Sequence, residues 1–144
     1  MHTRFLNVAA AAILLHGCGD ALSPETQVRR SIASMETAAE ARDIGDLMAF
    51  VMDDFRDGHG QGPREVRRYL QGYFIAHQSI HLLTRITDIE FPAPDEARVQ
   101  MTVGMVGREG DAWDLAGDVY DFNLTLRRQG EEWKVIFAER RRPG

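Results

Sequence analysis

The apolar positions along this chain fall into three spacing regimes, and each regime predicts a different kind of element. From Phe5 to Leu15 they form a nearly unbroken run, and from Val8 onward that run has no polar face. Between residues 23 and 77 the spacing is helical. Ser23-Pro24-Glu25 supplies an N-cap, a proline at the first helical position and an acid in the first turn, so a helix should start there. Val28, Ile32, Met35 and Ala39 carry its apolar stripe. Asp43 caps a second, shorter helix with the stripe Ile44, Leu47, Met48 and Val51, running into Asp53-Asp54-Phe55. After the loop Asp57-Gly58-His59-Gly60-Gln61-Gly62, Pro63 opens a third helix with Val66, Tyr69, Leu70, Tyr73, Phe74 and His77 on one side.

From Ser79 onward the period becomes two, the signature of strands with one buried face. Ala97, Val99, Met101, Val103 and Met105 alternate with polar or small residues. So do Tyr120, Phe122, Leu124 and Leu126, and then Trp133, Val135 and Phe137 after a tight turn at Gln129-Gly130, which predicts a hairpin. The first strand changes parity between Ile86 and Ile89, and a bulge near Thr87-Asp88 would restore a single buried face and bend the sheet. Pro92 and Pro94 end that strand, and Arg108 to Ala116 is expected as a loop carrying Trp113. Helices followed by a meandering sheet give an α+β domain.

The first regime is too short to span a bilayer and follows the basic Arg4, the architecture of an export signal. It ends at Leu15-His16-Gly17-Cys18, which resembles the lipobox of bacterial lipoproteins, with an aliphatic residue three before the cysteine and a small residue directly before it. The resemblance implies cleavage after Gly17 and lipidation of Cys18. The chain then divides into a signal peptide at 1–17, a lipidated cysteine and tether at 18–24, and a domain at 25–144. Cys18 is the sole cysteine, so lipidation would leave the mature domain without a thiol nucleophile or a disulfide. The expected location is the bacterial cell envelope, membrane-anchored through Cys18. Asp20 is one residue beyond the position that favours inner-membrane retention, which implies the outer membrane, facing the periplasm.

Charge narrows the partners. The whole chain carries a formal −5, and losing Arg4 with the signal makes it −6, so nucleic acid is not an expected partner. The one basic run, Arg140-Arg141-Arg142, reads as a solvated strand end or a contact for lipid headgroups. There is no phosphate-binding glycine loop and no nucleophile elbow around Ser31, Ser34 or Ser79, and no cofactor is expected.

In its element order the chain resembles the nuclear-transport-factor-2-like superfamily, which includes ketosteroid isomerases and SnoaL-like proteins. The similarity spans roughly residues 25 to 142. It rests on Ala41-Arg42-Asp43-Ile44-Gly45-Asp46-Leu47, on Met52-Asp53-Asp54-Phe55, and on a glycine turn followed by Trp133-Lys134-Val135. The resemblance implies a cone-shaped, cystatin-like fold, with the N-terminal helices packed on a curved antiparallel sheet around a pocket for a small apolar ligand. Members include enzymes and proteins without known chemistry, so fold does not supply function. For the family's isomerases the resemblance implies an aspartate base, matched most nearly by Asp57, and an oxyanion hole with a tyrosine from the first helix. That tyrosine is missing here, where Thr37 and Ala38 stand.

The candidate site residues follow. Asp57 is the candidate base, with His77 and His81 as possible assistants. These histidines are four apart but straddle the helix-to-strand change, so no metal site is expected from them. Tyr69, Tyr73, Trp113, Tyr120 and Trp133 are candidate pocket-lining aromatics. The leading expectation is a non-catalytic envelope lipoprotein binding a small apolar ligand or a partner protein. The alternatives are an isomerase- or dehydratase-like enzyme using Asp57, and a module that assembles as a homodimer through its sheet.

Overall fold

The computed structural model describes residue 19 and residues 21–109, 112–113 and 118–144, with side chains described at 19, 21–105 and 118–144. In chain order the elements are α1 (Pro24–Glu40), α2 (Ile44–Met48), β1 (Val51–Asp57), α3 (Pro63–Ala76), β2 (Ser79–Ala93), β3 (Glu96–Glu109), β4 (Ala112–Trp113), β5 (Asp118–Gln129) and β6 (Glu132–Arg141). Five strands pair in the order β1-β6-β5-β3-β2, and β4 pairs with β3 off this path. The result is an α+β fold with helices packed on a curved sheet. None of the described helices is long and apolar enough to cross a membrane.

Local chemistry sets the element ends. Ser23 Oγ accepts from the amide of Thr26 to start α1, and Asp43 Oδ1 accepts from the amide of Asp46 to start α2. The β5–β6 turn places Gly130 at φ +64°, left-handed backbone that glycine adopts without strain. The bulge expected in β2 lies between Ile86 and Asp88, where the register with β3 shifts. Alternating residues of β3, β5 and β6 then bury Ala97, Val99, Leu124, Leu126, Trp133 and Val135 against Val28 and Ile32 of α1, and this is the core.

Three elements depart from the expected pattern. The second helix stops at Met48, and Val51–Asp57 forms an edge strand parallel to β6, so the sheet is not wholly antiparallel. A helical stripe and a strand are hard to tell apart in so short a segment, and pairing with β6 decides the matter. The segment expected as a loop from Arg108 instead continues β3 to Glu109 and folds back as β4, with Arg108 opposite Trp113. Most consequential is β6. Leu126 pairs with Val135 but Thr125 pairs with Phe137, so Ile136 is an extra residue. The alternation Trp133, Val135, Phe137 therefore breaks. Phe137 points outward at 36% exposure, while Ala138 and Arg140 take the inner face.

Helix α3 is held at both ends. At its start, the Glu65 carboxylate accepts from the amide of Gly62. At its end, Arg42 Nη1 donates to the carbonyls of Phe74 and His77. These anchors fix α3 across the open end of the sheet.

Candidate functional site

Between α3 and the inner face of the sheet lies a cavity of about 370 Å³. Its apolar wall comes from Phe55 on β1, from Val66, Leu70 and Tyr73 on α3, and from Met105 and Phe122 on the sheet. The polar lining gathers at one end: Asp57 at the end of β1, His59 and Gln61 from the loop after it, and Glu139 and Arg140 from β6. Apolar walls with a few convergent polar groups are the usual make-up of a small-molecule site.

Arg140 is fixed by two tyrosines. Its Nη1 donates to the Tyr69 hydroxyl at 2.9 Å, bridging α3 to β6, and its guanidinium carbon lies 4.6 Å from the centre of the Tyr120 ring and 5.4 Å from that of Tyr69. The hydrogen bond to Tyr69 is the main influence raising the Arg140 pKa above its ordinary value, against a smaller opposing effect of desolvation. Arg140 is charged at any physiological pH. Arg140 is exposed, as expected of a solvated strand end, and the Ile136 bulge in addition turns it to the inner face, where it lines the cavity.

The other charges nearby are engaged. Asp57 Oδ1 accepts from the amides of His59 at 2.9 Å and Gln61 at 2.7 Å, closing the loop that ends the strand. Glu139 shares a face of β6 with Arg141 and pairs with it at 2.6 Å, and that hydrogen bond is the first cause lowering its carboxyl below the ordinary glutamate value.

The residues singled out from the sequence separate into groups. Asp57, Tyr69 and Tyr73 line the cavity. His77 and His81 do not. His77 Nδ1 sits 2.9 Å from the Tyr73 carbonyl and its ring stacks on Tyr73 at 4.0 Å, which ties it to the end of α3. His81 lies exposed on β2. Among the described residues, no three His, Cys, Asp or Glu side chains gather as a metal site. Trp133 is corrected from lining to core. It is 0% exposed, its Nε1 donates to Gln27 Oε1 and its backbone N–H donates to Ser31 Oγ. Tyr120 is buried beneath Arg140 rather than in the wall. The backbone alone is described at Trp113, and Gly17 and Cys18 lie outside the described residues. Arg140 and Gln61 are lining residues that sequence periodicity did not single out, because a bulge and a loop position them.

No known family model matches the sequence, and no curated protein does. Solved structures do. A scytalone dehydratase candidate from Novosphingobium aromaticivorans superposes with a TM-score of 0.73 at 16% identity, covering 83% of this chain and 84% of its own. A dehydratase candidate of the nuclear-transport-factor-2-like family from Streptomyces avermitilis gives 0.69 at 18%, covering 83% and 97%. A ketosteroid isomerase-like protein from Erwinia carotovora atroseptica gives 0.65 at 14%, covering 83% and 95%. At such identities the likeness is one of fold: this chain has the nuclear-transport-factor-2-like, cystatin-like fold, with a cavity at the open end of its cone.

Proposed function

We propose that this protein is a membrane-anchored envelope lipoprotein whose domain binds a small, largely apolar molecule in the cavity between α3 and the sheet. The carrying observation is the cavity itself, about 370 Å³ with an apolar wall and its polar groups confined to one end. Support for the anchor comes from Leu15-His16-Gly17-Cys18 at the end of the apolar run. The neutral dye N-phenylnaphthylamine should brighten on binding the full chain. Val66→Trp, which fills the cavity from α3, should weaken that binding more than about tenfold, a loss of about 1.4 kcal/mol. Unchanged dye binding in Val66→Trp would place the dye elsewhere and refute the cavity as the site. For the anchor, mass spectrometry of the mature N-terminus should find a diacylglycerol-modified Cys18, and an unmodified start at another residue refutes it.

A second reading, a dehydratase- or isomerase-like enzyme, is favoured by one observation: Asp57 lines the cavity. Against it stands the use of Asp57 Oδ1 as acceptor for two loop amides, a structural task that a proton-abstracting carboxylate does not share easily. Turnover of an enolisable ketone or of a secondary alcohol, abolished by Asp57→Asn in a protein that still binds the dye, would establish this reading over the first.

A further inference from the structure

We infer that the ligand is a small apolar monocarboxylate, its body against Phe55, Val66, Leu70 and Phe122 and its carboxylate on Arg140; this rests on the ligand-binding reading above.

Arg140 differs from the carboxylate-paired arginines among the described residues. Arg29, Arg98, Arg127 and Arg141 each have a carboxylate partner within 4.0 Å, at Glu25, Glu96, Asp54 and Glu139. Arg140 has none among the described residues. Its side-chain hydrogen bond uses Nη1 alone, toward the Tyr69 hydroxyl, and its remaining N–H donors have no acceptor among the described residues. It is also the only Arg or Lys among the described residues of the lining.

The guanidinium is oriented before any ligand arrives. Packing against the rings of Tyr120 and Tyr69, with one edge tied to the Tyr69 hydroxyl, restricts its rotamers, so little further side-chain entropy is lost on binding. A carboxylate matches the remaining edge of a planar guanidinium with paired N–H···O bonds.

Neighbouring acids set the ligand's charge. Asp57 lies at the same end of the cavity, and Asp118 acts on Arg140 at longer range. Glu139 also lines the cavity and is paired with Arg141 at 2.6 Å. One negative charge on the ligand is balanced by Arg140, whereas a phosphate dianion would face Asp57, Glu139 and Asp118 with a surplus charge.

Calorimetric titration of the full chain with naphthoate and with its neutral isostere naphthamide tests the assignment. Naphthoate should bind at least about tenfold more tightly than the amide. Arg140→Gln should abolish that preference by weakening naphthoate far more than naphthamide, and Arg140→Lys, which keeps the charge without the planar fork, should restore only part of it. Equal affinity for the two probes in the unmodified protein, or a preference that survives Arg140→Gln, overturns the inference and leaves the cavity reading standing. Failure of both probes to bind a protein of unchanged circular dichroism removes the cavity reading, and the inference falls with it.

Discussion

Strand β6 begins in the best-packed part of the molecule and ends at the cavity mouth, and its two halves are organised on different principles. At Trp133 the chain is sealed. The indole is fully buried, and both its N–H and its backbone amide are satisfied by Gln27 and Ser31 of α1. At Arg140 the chain is open: the guanidinium rests on two tyrosine rings with donors to spare. Ile136, the extra residue between them, separates the regimes by moving Ala138 and Arg140 onto the inner face. Burial dominates the energetics of the first half, and preorganisation of a polar group those of the second. One strand can do both because the bulge lets its inner-face pattern restart.

The largest effect should come from breaking the sealed end. Trp133→Ala removes a fully buried indole and should cost about 3–5 kcal/mol by urea denaturation, whereas Met105→Ala, which borders space already empty, should cost less than about 1 kcal/mol. Equal losses would mean that the cavity wall is as tightly coupled to the fold as the core, and the contrast would fail. Next in size is the polar lock. Gln27→Leu keeps bulk near the indole but leaves its buried N–H without a partner, and should cost about 1–3 kcal/mol in the same measurement.

Much of this architecture is legible in the sequence because much of it is periodic. The stripes of α1 and α3, the alternation of β3 and β5, the glycine turn into β6 and the parity change near Thr87 each follow from which positions can be buried together. Where pattern fails, a long-range pairing has overridden it. Val51 fits a helical stripe as well as a strand, and only its pairing with Val135 selects the strand. Gln27 and Ser31 look like surface residues beside the apolar stripe until Trp133 is placed across from them. The candidate site is less legible than the fold for the same reason. Tyr69, Tyr73 and Asp57 can be nominated by type and position, but Arg140 stands in a run of three arginines with nothing in the local spacing to mark it. Its role depends on a single inserted residue, which shows only in the register with β5.

Acid gives the smallest effect and the finest test of the contrast between the two ends. Three carboxyls, Asp54 and Glu65 exposed and Glu139 half-buried, are held below their ordinary values: Asp54 mainly by the hydrogen bond from Arg127, Glu65 by backbone amides, its own first and then that of Gly62, and Glu139 mainly by Arg141. A depressed folded-state pKa means that the group contributes stability fully above its unfolded value, and that the contribution disappears as pH falls through the folded value. For these groups the window runs from about pH 5 downward through 4, and exposure keeps each contribution small. Their placement is uneven. Asp54 and Arg127 brace the end of the sheet nearer the sealed core, while Glu65 caps the first turn of α3 and Glu139 holds the last residues of β6, both beside the cavity. Protonation should therefore loosen the open end first. Hydrogen exchange followed from pH 6 to 3.5 should show the first turn of α3 losing protection before the amides of β3 and β5 around Val99 and Leu124 do. Simultaneous loss at both would mean that the cavity wall and the core open as one cooperative unit, with no independent opening of the mouth for a ligand to use.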